Sequence, residues 1–277
     1  MASRAKIRER LLYLADADLE IQPSALYHEN SKVGRWLCTF ERNSRPTEQL
    51  IASVLEQVGD QRGRYPYCRA VPLAEPHAQR EADFAAVLSA RRAERRFAPA
   101  PVSLQDFSWV LRTALGNTGR ARVTDAVQVS ARAYPSAGGL YPVQIYPIVR
   151  DVDGLARGIY HYDIDADDLK VIAQAPDADA LTSTFLGDRA VAEAAALLMI
   201  TAIVPRSALK YGERGFRYSL IETGHAAQNL LLSCTAADLA AYPIGGFVET
   251  EIETLLHIDG VEEIALYAVA VGTKHHD

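Results

Sequence analysis

The chain has 277 residues, 49% hydrophobic and 23% charged, a composition that can bury a sizeable core and excludes a disordered polymer. Lys plus Arg number 29 against 35 Asp plus Glu, so the formal net charge of -6 argues against a nucleic-acid binder that works by neutralising phosphate. The longest largely apolar run, Ala194–Val204, is too short to span a bilayer, and no apolar segment of a secretory signal follows the basic opening MASRAKIRER.

From Arg4 to about Leu26, the positions Ile7, Leu11, Leu14, Leu19 and Ile21 predict one helix and then a turn at Pro23. Glu48–Val58 is a second amphipathic stretch, with Leu50, Ile51, Val54, Leu55 and Val58 on one face. Pro66, Pro72 and Pro76 interrupt any regular element between Tyr65 and Pro76, and the chain divides best there. Residues 1–76 read as a mainly helical extension and residues 77–277 as the main domain. Gln79–Ala90 reads as a helix, and Ser103 as the N-cap of another that carries Leu104, Phe107, Val110 and Leu111. Val143–Arg150 is rich in β-branched and aromatic residues and predicts a strand. Gly158–Tyr162 and Leu169–Ala173 flank an acidic turn as a hairpin. Ala190–Ala196 predicts a short helix, Leu197–Val204 a buried strand, and Ile264–Val271 a last interior strand. Ser219–Leu239 predicts the central helix, with Leu220, Gly224, Ala227, Leu231 and Cys234 on its packed stripe. Helices outnumber strands without strict βαβ alternation, which makes the class α+β.

Three segments could carry chemistry. Arg91-Arg92-Ala93-Glu94-Arg95-Arg96-Phe97 follows a predicted helix, and its clustered guanidiniums can grip a phosphate through fork geometry that lysine lacks. A solvated basic helix end complementing the helix dipole explains the same residues. Tyr134-Pro135-Ser136-Ala137-Gly138-Gly139-Leu140-Tyr141-Pro142 lets backbone approach a planar ligand and adds a hydroxyl; an ordinary turn before a strand is the alternative. It is neither GxGxxG nor a P-loop. Lys210-Tyr211 lies near Arg206, Arg214 and Arg217, like charges that would make the Lys210 amine a usable base, while Tyr211 offers a second proton-transfer group. Exposed connector charge is the competing explanation there.

Other residues attract less weight. His225 reads as a hydrogen-bonded core histidine, His161 as a strand residue with a cross-strand partner, and His275 and His276 as solvated. Asp163, Asp165 and Asp167 hint at a calcium loop, but a β-turn suffices. GxSxG is absent, which removes a hydrolase elbow. Cys38, Cys68 and Cys234 share no CxxC-type spacing, so inert thiols in a reducing cytoplasm are expected, and no metal site.

Taken together, RRAERRF, YPSAGGLYPVQIY, GIYHYD, RYSLIETGHAAQNLLLS and IGGF, in that order from residue 91 to 247, resemble the nitroreductase superfamily. More narrowly they are similar to the SagB-type flavin dehydrogenases of thiazole/oxazole-modified peptide pathways, over roughly residue 79 to the end. The resemblance implies an α+β flavin fold with a central antiparallel or mixed sheet flanked by helices. It further implies an interlocked homodimer with FMN at each of two interface sites. Arg91, Arg92 and Arg95 would hold the phosphate and ribityl end of FMN; Pro135, Ser136, Ala137 and Gly138, from the partner subunit, would lie against the ring. Gly245 and Gly246 would line the pocket. Lys210 and Tyr211 match the Lys-Tyr pair of the azoline dehydrogenases and would be catalytic, with a heterocyclised peptide as substrate and a cyclodehydratase complex as a further partner. A general NAD(P)H-dependent nitro- or quinone reductase, and a non-catalytic flavin-binding scaffold, are the alternatives. Ala93 departs from the serine frequent there in relatives. YHENSK at Tyr27–Lys32 is similar to N-terminal segments of this group, in which dimer or peptide contacts are the roles open to residues 1–76.

Overall fold

The computed structural model describes residues 23–32, 64–75, 80–122 and 128–275. Two compact units divide the chain, Met1–Arg45 and Pro46–Asp277. The expected helices over 4–26 and 48–58 fall outside the described residues, apart from 23–26. There the turn expected at Pro23 is instead the start of helix α1 (Pro23–Asn30). Proline suits a first helical turn, where its missing N–H has no intrahelical acceptor.

All other described elements belong to the second unit. Its centre is a seven-stranded antiparallel sheet in the order β1-β8-β7-β5-β9-β11-β10. The strands are β1 (Ala70–Pro72), β5 (Val143–Val149), β7 (Gly158–Asp163), β8 (Asp168–Ala173), β9 (Ala196–Ile203), β10 (Leu239–Ile244) and β11 (Glu263–Thr273). Two short pairs flank it: β2 (Val102–Ser103) with β6 (Val152–Asp153), and the hairpin of β3 (Asn117–Arg122) with β4 (Gln128–Arg132). The proline-interrupted stretch expected to be irregular contains β1, which an edge position permits, because Pro72 needs no outer ladder bond.

Residue alternation on the strands builds two cores. Val143, Ile145, Leu198 and Ile200 point to one face, which α3 (Leu104–Leu115) and α7 (Arg214–Ala236) cover. Tyr146, Ile148, Leu197 and Met199 point to the other, covered by Leu181 and Phe185 of the segment around α4 (Ala178–Thr184) and by Ile252 and Leu256 of α8 (Glu249–Leu256). Ser103 caps α3 by accepting from the Asp106 N–H at 3.0 Å, as its sequence position predicts. The helix expected from Gln79 begins at Phe84, where the Asp83 side chain accepts from the Ala86 N–H at 2.6 Å; this is α2 (Phe84–Ala90). The expected Ala190–Ala196 helix is the single turn α5 (Ala190–Glu193), because Ala196 already belongs to β9.

α7 starts at Arg214, earlier than expected, and its buried stripe is rotated. Ser219, Glu222, Thr223, Ala226, Ala227, Leu230, Leu231 and Cys234 face inward, whereas Leu220 and Gly224 face out. Leu230 has no exposed surface, and Leu230→Ala should cost about 3 kcal/mol through the cavity it leaves, read from the midpoint of urea denaturation. Cys234 behaves as the inert thiol expected, its burial pushing the thiol up to about 12.

Candidate active site

The loop before β5 is built around Ser136. Its Oγ accepts the Tyr141 N–H at 2.8 Å and lies 2.5 Å from Glu222 Oε2. Arg206 donates from Nη1 to the Tyr141 carbonyl at 2.8 Å. Arg132 donates from Nη1 to the Tyr134 hydroxyl at 3.1 Å and lies 4.7 Å over the Tyr141 ring. Three ionisable side chains from different elements, Glu222, Arg206 and Arg132, therefore hold the loop. Within it Ala137–Gly139 forms one 3₁₀ turn, and Gly138 takes φ 66° and ψ 11°, a left-handed conformation that a side chain disfavours.

The same glycine meets the end of α6 (Val204–Tyr211). A Cβ on Gly138 would stand 2.6 Å from Tyr211 Oη and 2.8 Å from Lys210 Nζ. Two of the three chemistry-bearing segments are thus one place in space, and the glycine is needed for the approach of these side chains. Gly212, at φ 53°, ends α6, and α7 turns back tightly enough that a Cβ on Gly215 would stand 2.6 Å from the Ser207 carbonyl carbon. That turn sets Tyr218 edge-to-face against Tyr211, with ring centroids 4.9 Å apart and planes at 81°. Burial, and then the neighbouring Tyr218, hold the Tyr211 phenol above its ordinary range, so it keeps its proton at neutral pH. The arginines expected to crowd Lys210 have other partners: Arg206 binds the loop carbonyl, and Arg214 donates to Tyr218 Oη at 2.9 Å.

Arg91, Arg92 and Arg95 lie at the β10 edge of the sheet. Arg91 ends α2, and Arg92 donates from Nη1 to the Ser89 and Arg91 carbonyls, each at 2.8 Å. The Glu94 N–H bonds the Ala241 carbonyl on β10 at 3.0 Å, and the Arg95 guanidinium sits 4.6 Å over the Tyr242 ring. Lys274, next to the end of β11, adds a cation here, 3.8 Å from Glu94 Oε1. Gly245 and Gly246 follow β10 and are exposed, beside the Tyr267 ring and Leu186. The route from β5 to β10 crosses β9 and β11, three interstrand spacings or about 14 Å between those two strands. The two groups of one chain therefore lie apart.

The nitroreductase family matches residues 88–273. The chain belongs to the nitroreductase family. A Methanocaldococcus jannaschii protein named as a nitroreductase is 35% identical over 188 residues, 68% of this chain and 89% of that protein. The trifolitoxin-processing protein TfxB of Rhizobium leguminosarum bv. trifolii is 25% identical over 247 residues, 83% of this chain. The chain spans only 62% of TfxB's length. A structure of the Escherichia coli microcin synthetase McbBCD with a truncated precursor bound has the same fold, with TM-score 0.56, 19% identity, and coverage of 84% of this chain and 96% of that one.

Some buried residues around the Ser136 loop and on the neighbouring strands carry little sequence signal. Glu222 is only 2% exposed, and burial raises its carboxyl to about 7 despite Ser136, Arg132, the Val143 N–H and Arg206 around it. Only the Glu beside Thr223 in an otherwise packed helical stripe could have indicated it. His161 is also buried, with Nε2 3.0 Å from Gln144 Oε1 on the neighbouring strand and its ring between Tyr65 and Tyr146. Burial, then Arg64, Arg132, Arg206 and Lys170, lower it to about 3. His225, expected in the core, is exposed, because the stripe of α7 is rotated away from it. The acidic turn is occupied by protein partners: Arg112 Nε lies 2.7 Å from Asp167 Oδ2, and the Ala166 N–H bonds Asp163 Oδ1 at 3.1 Å.

Glu222 and His161 pull stability in opposite directions with pH. His161 folds neutral, so its contribution is full above 6.5 and is lost as pH falls towards 3. Glu222 folds protonated, so its contribution is full below 4.5 and is lost as pH rises through 7. Their slopes cancel between about pH 6.5 and 5. Relative to wild type over that interval, Glu222→Gln should lose about 2 kcal/mol on acidification and His161→Gln should gain about as much. Denaturant melts at the two pH values check both signs.

Proposed function

We propose that this chain is an FMN-dependent dehydrogenase that oxidises peptide thiazolines or oxazolines to thiazoles or oxazoles, working as a homodimer. The observation that carries this reading is the closure of Gly138 onto the Lys210 amine and the Tyr211 phenol. The likeness to a peptide-toxin processing protein supports it.

FMN fits the donors present. The forked guanidiniums of Arg91, Arg92 and Arg95, with Lys274 beside them, suit its phosphate, and Gly245 and Gly246 offer open backbone. Pro135, Ser136, Ala137 and Gly138 would complete the pocket from a second chain. Apolar surface supports such a partner. α2 buries none of its residues and leaves Phe84 70% exposed, and Ile221 on the outer face of α7 is 50% exposed. Docking of the dimer on a cyclodehydratase would extend the same reading.

Azoline-to-azole conversion removes a C–H proton and, from the neighbouring carbon, a hydrogen with its electron pair. FMN, when bound, supplies the acceptor for that electron pair. Lys210 Nζ takes the proton from the carbon next to the carbonyl. Tyr211, protonated because of its burial, donates a hydrogen bond to the heterocycle or its amide and does not compete as the base.

Incubating FMN-loaded protein with a synthetic thiazoline peptide under air tests the reading, with the peptide followed by mass spectrometry. The expected result is loss of two hydrogens from the peptide. The M. jannaschii likeness favours a second reading, a general reductase, which predicts instead that NAD(P)H alone bleaches the flavin rapidly while the peptide stays unchanged. Flavin bound firmly but reduced by neither would indicate the scaffold alternative.

A further inference from the structure

The chemistry proposed above leaves Glu222 without a role, although it is the buried carboxyl beneath the Ser136 loop. A serine hydroxyl has one hydrogen and two lone pairs. The Tyr141 N–H occupies one lone pair of Ser136 Oγ at 2.8 Å, and Glu222 Oε2 faces the same oxygen. An ionised Glu222 can only accept, so the Ser136 hydrogen is committed to it. A Glu222 protonated at Oε2 donates to the second lone pair, and the Ser136 hydrogen is then free to turn elsewhere.

We propose that Glu222 is a proton-controlled switch on the Ser136 hydroxyl, whose protonation frees Ser136 to donate a hydrogen bond to the cofactor seated over the loop. The cofactor half of this statement rests on the FMN reading above. Glu222 is a positioning residue, because it acts through Ser136.

The surroundings leave both states accessible. Arg132 from β4, Arg206 from α6, the Val143 N–H from β5 and the Ser136 hydroxyl favour the ionised carboxyl. Burial opposes them and prevails, and Tyr134 adds an interaction with Glu222 from the loop's entry. Oε1 is buried and, among the described residues, has no partner in hydrogen-bonding geometry, so its part in holding the charge is weak. The balance falls at about 7, where the switch turns with ordinary changes of pH.

FMN dissociation constants, from flavin fluorescence across neutral pH, test the switch in wild type, Glu222→Gln and Ser136→Ala. Wild type should bind FMN about fivefold more weakly on the alkaline side, the worth of one hydrogen bond. Glu222→Gln should bind independently of pH, and Ser136→Ala should stay at the weak limit throughout. A pH step that survives in either variant, or is missing from wild type, overturns the proposal. Should wild type bind no FMN at any pH, the cofactor reading fails, and infrared spectroscopy of the apo-protein still decides the switch. There a protonated-carboxyl stretch should vanish as pH rises through neutrality, shift in Ser136→Ala and be missing from Glu222→Gln. Wild-type apo-protein without such a titrating band would overturn it.

Discussion

Replacing Lys210 with alanine is expected to slow azoline oxidation by about 10²–10⁴-fold, the usual contribution of a positioned general base. The proton to be removed sits on a carbon, so a water molecule cannot substitute cheaply for an amine held at the substrate. Lys210 lies on the last turn of α6, beyond the packed part of that helix, and its removal leaves no cavity. Stability and FMN affinity should therefore change little. Tyr211→Phe keeps the ring against Tyr218 and loses only the hydroxyl, so a smaller loss of about tenfold is expected, the worth of one hydrogen bond in the transition state. Single-turnover flavin reduction by a thiazoline peptide reads both effects. Equal rates in wild type and Lys210→Ala, with FMN bound, would remove the amine from the mechanism.

Gly138→Ala should be almost as damaging for a different reason. At φ 66° an L-residue costs about 1–2 kcal/mol, and the new methyl would overlap Tyr211 Oη and Lys210 Nζ. Both side chains end in flexible or exposed groups, so they give way and the fold survives. The displaced amine and phenol then miss the substrate, and a misplacement of about 1 Å suffices for a 100-fold loss. The variant should keep a near-normal melting transition while losing turnover, a combination that circular dichroism and the peptide assay distinguish from misfolding.

Legibility in the sequence followed the strength of the local pattern. The interior strands β5, β9 and β11 were readable because each is a bounded apolar run, and the hairpin of β7 and β8 because its acidic turn interrupts two such runs. β10 was missed: Leu239–Ile244 follows a long helix without a breaker and contains Pro243. The β3–β4 hairpin was missed because Asn117–Arg122 is polar and shows no alternation. On α7 the expected stripe holds at Ala227, Leu231 and Cys234 but fails at Leu220, which looks like a core residue yet is 42% exposed. An exposed apolar side chain cannot be told from a core one in a single sequence. Glu222 and Arg206 were overlooked or read as surface charge for the opposite reason, since charged residues are seldom buried unless other groups pair with them. The meeting of Gly138 with Lys210 and Tyr211 joins segments about seventy residues apart, a contact that only the tertiary fold supplies.

The two groups of one chain, one at the Ser136 loop and one at the β10 edge, should form whole sites only across a dimer. Co-expressing Lys210→Ala chains with chains carrying Arg91→Ala, Arg92→Ala and Arg95→Ala tests this most directly. Each variant alone should be inactive, yet the mixed dimer holds one site with all its groups intact. Random pairing should restore about a quarter of wild-type azoline oxidation, since half of the dimers are mixed and half of their sites are complete. A mixture that stays as inactive as its two components would contradict the composite site.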